Sequence, residues 1–222
     1  MVRTHMTKVY TKSPPLSRTG RGCSVFRTEI LLFLLLTCLL AAGCGAAEPP
    51  KPTLEAEDPA LVLWPKAEKA VTLKVRATRD LNMFDSKAHS IQVCVYQLAS
   101  GDAFLELAKT PEGIAKLLQA TAFDDSVKSV MRFFVQPFEE VFLQLDRAAN
   151  ATFIGVVSGF FDATPENSAK LWEIKPKETT SGMLFWKSTI YSAGSIELSL
   201  RLGDHAMQEA QAENQATTGG TQ

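Results

Sequence analysis

Residues that build catalytic and metal sites are scarce in this sequence. The 222-residue chain has three histidines and four cysteines. His89 and His205 lie far apart in the sequence and have no cysteine or acidic neighbours at metal-ligand spacing. Residues 155–159 read GVVSG, which does not match the GxSxG elbow of serine hydrolases, and no glycine-rich phosphate-binding loop is present. The sequence therefore predicts no catalytic residues, no metal site and no cofactor.

A strong excess of charge of either sign is also absent. Lysine and arginine number 23, and aspartate and glutamate 24, for a formal net charge of -1. This balance lacks the basic character of nucleic-acid-binding proteins, so we expect no nucleic acid partner. The charges are unevenly distributed, because residues 1–43 hold six basic residues and a single acid, Glu29.

A short apolar run follows the basic start of the chain. Residues 30–40 read ILLFLLLTCLL, and three small residues separate them from Cys44. A basic region, a short apolar run and a small-residue cleavage site predict a secretory signal peptide over residues 1–43. The pattern resembles the lipobox of bacterial lipoproteins. This resemblance implies cleavage before Cys44, acylation of its thiol with diacylglycerol and acylation of the new amino terminus.

Two other interpretations of this region stay open. Residues 30–47 lack charge and approach the lower length limit of a membrane span, so an uncleaved signal anchor is one alternative. Secretion without a lipid is the other. We favour the lipoprotein because the end of the run is mostly Ala, Gly and Cys, and no basic stop follows it. The residue after Cys44 is Gly45 and not aspartate, and an aspartate at this position resembles an inner-membrane retention signal. Its absence favours the outer membrane, with the domain facing the periplasm.

Polar and proline-rich segments flank the predicted domain. Residues 45–68 contain five prolines and five acids with little apolar periodicity. Residues 44–68 are therefore predicted to be the lipidated cysteine and a flexible proline-rich tether that holds the domain away from the bilayer. Residues 203–222 are nearly devoid of large apolar side chains, which predicts a disordered polar tail. The domain itself is predicted to span residues 69–202.

Alternating apolar and polar residues indicate that this domain is all-β. Strands are predicted over residues 70–78, 90–98, 127–135, 139–145, 152–161, 170–174, 184–190 and 195–202. Residues 127–135 and 139–145 are expected to pair across a turn at Pro137. A helical insertion is predicted within residues 103–123, where Pro111 begins a helix. These features predict an antiparallel β-sandwich with a short helical insertion.

One cysteine, Cys94, would remain after removal of the leader and lipidation of Cys44. The mature domain would then have no intramolecular disulfide, even in an oxidising compartment. Cys94 lies in the apolar strand IQVCVYQL, so we interpret it as a small buried hydrophobic residue and not as a nucleophile.

The order of these features resembles the outer-membrane lipoproteins of type VI secretion systems, the TssJ or SciN-like family. The resemblance is carried by the lipobox, the tether, VCVYQL at residues 93–98, FFVQPFEEVFLQL at 133–145 and FIGVVSGFFD at 153–162. It implies a transthyretin-like β-sandwich that binds the periplasmic domain of the IcmF-like (TssM-type) inner-membrane subunit. Phe138 follows Pro137 where the family usually has glycine, which predicts a different turn there.

The loop between the first two predicted strands is the candidate partner-binding site. In the resembled family this loop contacts the partner, and here residues 79–89 read RDLNMFDSKAH. The candidate residues are Leu81, Asn82, Met83, Phe84 and Asp85. Exposed apolar residues on a polar loop indicate a contact surface. The alternative is that Leu81 and Phe84 fold inward and close the end of the sandwich.

Two function classes therefore stand. The first is a structural, protein-binding lipoprotein of a secretion complex, anchored in the bilayer through acylated Cys44. The second is a periplasmic ligand-binding or carrier lipoprotein that uses the interior or the end of its β-sandwich as a pocket.

Overall fold

The computed structural model describes residues 50–182 and 186–214. The predicted signal peptide at 1–43 and the lipidation site Cys44 lie outside these residues, and so does Leu184 at the start of one predicted strand. None of the helices in the described ranges is long and apolar enough to cross a bilayer.

Eleven strands and three short α-helices make up the described residues. In chain order the strands are β1 (Glu55–Ala56), β2 (Ala67–Ala77), β3 (Ile91–Leu98), β4 (Val127–Val135), β5 (Glu140–Arg147), β6 (Phe153–Ser158), β7 (Ala169–Glu173), β8 (Lys177–Ser181), β9 (Ser188–Ser192), β10 (Ile196–Leu202) and β11 (Met207–Asn214). The helices are α1 (Asp102–Ala108), α2 (Pro111–Leu117) and α3 (Pro165–Ser168).

Two four-stranded sheets form the sandwich. The first has the order β4-β3-β6-β7 and the second β11-β10-β2-β5. Their facing sides bury one apolar cluster, which includes Val71, Leu73, Val95, Val156 and Leu198 at 0 to 1% exposure. Such burial of alternate residues is what a two-sheet core requires. The predicted all-β, antiparallel sandwich with a helical insertion is confirmed, with one parallel pair, β2 with β10.

Helices α1 and α2 cover the outer side of the first sheet. Phe104, Ile114 and Leu117 from this insertion are fully buried against Cys94 and Tyr96 of β3. The Tyr96 hydroxyl donates a hydrogen bond to the Leu117 carbonyl at 2.5 Å. Strand β3 is therefore covered on both faces, which explains why its sequence is apolar without alternation. Burial raises the pKa of the Cys94 thiol, in agreement with its interpretation as a buried hydrophobic residue.

The connection between β4 and β5 corrects one prediction. The two strands do not pair with each other, because β4 pairs with β3 and β5 pairs with β2. The Phe138 amide instead donates to the Thr78 carbonyl at 3.0 Å, and Phe138 has a φ of 65°, a region that glycine adopts most easily. The turn thus crosses from one sheet to the other. Apolar residues alternate in the same way whether two strands form a hairpin or belong to different sheets. The sequence pattern therefore could not distinguish these two arrangements.

The segment before β2 differs from the flexible tether predicted over residues 44–68. Strand β1 pairs with β9, which also pairs with β8, and Thr53 bridges to Val62. A 3-10 turn at Pro59–Leu61 is capped by Asp58, whose carboxylate accepts a hydrogen bond from the Ala60 amide at 2.9 Å. A proline-rich composition indicates that a segment forms no helix or regular strand, but it does not show whether the segment is flexible. Here backbone hydrogen bonds to the domain order the segment.

The segment after β10 differs from the predicted disordered tail. Residues Met207–Asn214 form β11, which pairs with β10 in antiparallel register. Met207 is buried, and Ala210 packs against the core. Its sequence is polar because β11 is an edge strand whose outer face contacts water, and Met207 and Ala210 are the residues that reach the core.

Candidate partner-binding surface

Four connections meet at one end of the sandwich. They are the β2–β3 loop, the β4–β5 turn, the β6–α3 connection and the β10–β11 turn. The strand directions bring them together, because β2 and β10 run toward this end, and β3 and β5 start from it. The candidate loop at residues 79–89 is therefore one part of a larger surface.

Leu81 and Asn82 hold the loop in place. Leu81 is fully buried in the core, so for this residue the inward alternative is correct. Asn82 is 4% exposed, with its side-chain oxygen accepting from the Phe161 amide at 2.9 Å and its side-chain nitrogen donating to the Ser90 carbonyl at 3.3 Å. The Asn82 amide also donates to the Gly203 carbonyl at 3.1 Å. Both residues position the loop and expose little surface for a partner.

A tight turn presents Phe84. The Phe84 and Lys87 amides each donate to the other residue's carbonyl, at 2.9 and 3.0 Å. Asp85 and Ser86 between them have φ values of 48° and 55°. Two positive φ values in a two-residue connection are typical of a type I′ turn, a rigid geometry that aspartate tolerates. Asp85 is exposed at the tip, and Met83 is half-buried.

Phe84 lies outside the core and stacks on a second phenylalanine. It is 57% exposed, and its ring lies 4.5 Å from that of Phe161 at an interplanar angle of 24°. His89 contacts the Phe161 ring edge-on at 5.2 Å. The inward alternative is therefore wrong for Phe84. We name Phe84, His89 and Phe161 the aromatic patch.

Phe161 is a surface residue that the sequence reasoning missed. The adjacent pair Phe160–Phe161 follows β6, with Phe160 4% and Phe161 51% exposed. Phe161 lies in the turn that follows the end of β6, where the chain leaves the sheet and its ring reaches solvent. The sequence did not show that the connection after β6 lies beside the loop at residues 79–89.

Charged groups and a further aromatic ring surround the aromatic patch. Phe138 is 69% exposed, and the Arg79 guanidinium lies 4.8 Å above its ring. Asp162 lies 3.3 Å from the His205 ring nitrogen. The nearby Thr78 side chain lowers the pKa of Asp80, which is exposed. Exposed aromatic rings with a polar rim are typical of protein interfaces.

His89 and His205 do not form a metal site with other described residues. No group of three or more His, Cys, Asp or Glu side chains in the described part of the chain is arranged to hold a metal ion. His89 contacts aromatic rings, and His205 contacts a single carboxylate.

A groove of about 530 Å³ lies elsewhere, on the outer face of the second sheet. Its lining includes Arg76, Glu140 and Phe142. The Arg76 and Glu140 side chains pair with each other at 2.8 Å, and Lys74 pairs with Glu197. The basic groups named here are therefore engaged with acids of the same sheet.

Comparison with protein families places the chain among secretion lipoproteins. Residues 69–204 match the T6SS-SciN family, described as type VI secretion lipoprotein, VasD, EvfM, TssJ, VC_A0113. This match covers more than half of the chain. A search of curated protein sequences finds no match.

Several solved structures align with this chain at low sequence identity and with TM-scores below 0.5. The type VI secretion lipoprotein TssJ1 from Pseudomonas aeruginosa is 15% identical, with a TM-score of 0.47 over 69% of this chain and 98% of its own. Lip from Serratia marcescens, a membrane-bound component of the type VI secretion system, is 16% identical, with a TM-score of 0.43 over 67% and 98%. A chain from the structure of the TssM C-terminal domain (869–1107) from EAEC is 14% identical, with a TM-score of 0.46 over 64% and 96%.

Proposed function

Because this chain belongs to the type VI secretion lipoprotein family, we propose that it is an outer-membrane lipoprotein and a structural component of the trans-envelope secretion complex. Acylated Cys44 anchors it in the bilayer, and the domain faces the periplasm. Its partner is the periplasmic domain of the IcmF-like (TssM-type) inner-membrane subunit. The observation that carries this proposal is the exposed aromatic patch on a rigid turn.

The aromatic patch is suited to protein binding for two physical reasons. Phe84 and Phe161 keep about half of their surfaces in water, at 57 and 51% exposure, so a partner can bury the remainder. The Phe84–Lys87 turn and the buried Asn82 side chain hold both rings before binding, which lowers the entropy lost on association. Aromatic anchors of this kind often dominate interface energetics.

Replacing Phe84 and Phe161 together with serine should weaken binding of the IcmF-like periplasmic domain by about thirtyfold or more, the effect of losing a hot spot of roughly 2 kcal/mol. Both side chains are exposed, so the melting temperature should change little. Titration calorimetry measures the affinity and circular dichroism the melting temperature.

Phe142→Ser is the matched control for this double variant. Phe142 is 60% exposed but lies on the outer face of β5, on the second sheet. The Phe142→Ser variant should bind the partner with the affinity of the unmodified chain. Unchanged affinity of the double variant would contradict a role for the aromatic patch, and a large drop in its melting temperature would show that the rings stabilise the fold.

Replacing Cys44 with serine should release the protein from membranes, because no thiol remains for acylation and multiple acyl chains are needed for stable anchoring. Membrane fractionation measures the release from membranes, and mass spectrometry measures the loss of acylation. Cys38→Ser, which changes a cysteine of the predicted signal peptide, should remain acylated and membrane-bound. Retention of the Cys44→Ser protein in the membrane would support an uncleaved signal anchor.

The carrier alternative has less support. A carrier that used the interior of the sandwich would need space between the sheets, and that region is filled by buried side chains such as Leu73, Val95 and Leu198. The groove on the outer face is open to solvent, and two of its charged lining residues, Arg76 and Glu140, pair with each other.

A further inference from the structure

A bulky side chain occupies a glycine-like position in the β4–β5 turn. The Glu139 amide donates to the Gln136 carbonyl at 3.2 Å, which closes a four-residue turn. Pro137 is its second residue and Phe138 its third, with a φ of 65°. These features match a type II turn, whose third residue is usually glycine or asparagine. A phenylalanine with a positive φ brings its Cβ close to the following carbonyl oxygen, so this residue destabilises the fold.

Hydrogen bonds on both sides hold the turn in this conformation. The Phe138 amide donates to the Thr78 carbonyl at 3.0 Å, and the Ala77 amide donates to the Glu139 carbonyl at 2.9 Å. The Glu139 carboxylate also accepts from the Gln136 amide at 2.6 Å. The turn is therefore fixed to the end of β2, and the strained φ persists because the surrounding structure imposes it.

The Phe138 ring gives the fold little stability in return. It is 69% exposed and belongs to neither of the two buried apolar clusters. Its ring contact is with the exposed Arg79 guanidinium, 4.8 Å above it, and cation–π contacts at exposed sites are weak. A strained residue with an exposed aromatic ring is better explained by a contact outside the domain.

We propose that Phe138 is a second anchor for the IcmF-like periplasmic domain, and that Arg79 beside it pairs with an acidic side chain of that domain. This second anchor rests on the proposed function, because it adds a contact to the same partner. The β2–β3 loop joins it to the aromatic patch. Thr78 at the start of this loop binds the Phe138 amide, and Phe84 follows six residues later. One partner surface can therefore cover both.

Arg79 determines the chemistry that the partner must offer. In the described ranges its guanidinium forms no ion pair with a carboxylate. A guanidinium that lies over an aromatic ring keeps N–H donors at its edge, where a carboxylate can accept two hydrogen bonds. An apolar side chain on the Phe138 ring and a carboxylate at Arg79 together fit this part of the surface.

Phe138→Gly and Phe138→Asn test the second anchor, because both residues tolerate a positive φ. Each variant loses the ring and the strain together. The affinity for the IcmF-like periplasmic domain, measured by titration calorimetry, should fall about tenfold. The melting temperature, measured by circular dichroism, should stay the same or rise by a few degrees. Phe142→Asn is the matched control, because it removes an exposed phenylalanine from the outer face of β5 and should leave the affinity unchanged.

The salt dependence of binding tests the role of Arg79. Arg79→Ala should weaken binding and reduce its dependence on ionic strength, because salt screens a charge pair at an exposed site. Arg79→Lys keeps the charge and should keep most of the salt dependence. A salt dependence in Arg79→Ala equal to that of the unmodified chain would show that no acidic group of the partner pairs there.

The same measurements separate the second anchor from the proposed function. If the unmodified chain binds and both Phe138 variants bind equally well, Phe138 is not an anchor, while the aromatic patch keeps its role. A melting temperature lowered by several degrees in both variants would show that the ring serves the fold, which would also overturn the second anchor. Absence of binding by the unmodified chain would overturn the proposed function and, with it, the second anchor.

Discussion

Replacing Arg147 with alanine should lower the free energy of unfolding by about 3 to 5 kcal/mol, because a large buried side chain and its charge-assisted hydrogen bonds to two carbonyls are lost together. Arg147 ends β5 and is 1% exposed. Its guanidinium donates to the Pro65 carbonyl at 2.8 Å and to the Gly194 carbonyl. It also lies 4.8 Å above the Trp64 ring. One side chain thus joins three separate segments of the chain.

The size of the effect follows from what alanine leaves behind. The carbonyls of Pro65 and Gly194 would lose a charge-assisted hydrogen-bond donor, and the space of a large buried side chain would be left unfilled. Burial lowers the pKa of Arg147, which reflects the cost of desolvating the cation that these contacts offset. We expect the segment that contains Trp64 to detach first.

Urea denaturation measures the change. Arg76→Ala is the matched control, because Arg76 forms an exposed ion pair with Glu140 and its loss should cost less than about 1 kcal/mol. Arg147→Met keeps most of the apolar volume and separates packing from hydrogen bonding. A loss below 1 kcal/mol in Arg147→Ala would show that the N-terminal segment does not depend on this residue.

Replacing Val156 with aspartate should prevent folding altogether. Val156 is fully buried at the centre of β6, where it faces the core between the sheets and pairs with Val95. An unpaired carboxylate there costs several kcal/mol, and the lost packing adds to this. Domains of this size are stable by only about 5 to 15 kcal/mol, so little stability should remain.

Circular dichroism with thermal denaturation tests this second prediction. The variant should lack a cooperative melting transition. Phe142→Asp places the same charge on an exposed position of β5 and should melt close to the unmodified protein. A cooperative transition in Val156→Asp would mean that the position has access to water, against its observed burial.

Much of the fold could be predicted from local patterns. The strand predicted over residues 127–135 matches β4 at both ends, and Pro111 begins α2 as expected. These elements follow from side-chain periodicity and from the fixed φ of proline, which act over a few residues. The predictions that were wrong concern contacts between distant residues, such as the separate sheets of β4 and β5.

In the candidate loop, too, local patterns predicted some features of single residues and long-range contacts decided the others. The sequence singled out residues 81–85 through the resemblance to a family and the apolar side chains on a polar loop. It could not decide that Leu81 is buried and Phe84 exposed, because both are large apolar residues. The Asn82 hydrogen bond to the Phe161 amide joins residues 79 positions apart, and it decides where the second ring lies.

By itself, the sequence indicated an all-β domain and the secretion lipoprotein family, which the match over residues 69–204 bears out. The leader and the lipidation of Cys44 stay predictions. Only the tertiary structure decided that Phe84 and Phe161 form one surface, that β11 extends the second sheet, and that Arg147 holds the entering chain. The physical reason is the distance along the chain over which each effect acts. Periodicity, turn chemistry and composition are properties of neighbouring residues, whereas burial, stacking and the partner of a buried cation depend on segments that meet only in the folded chain.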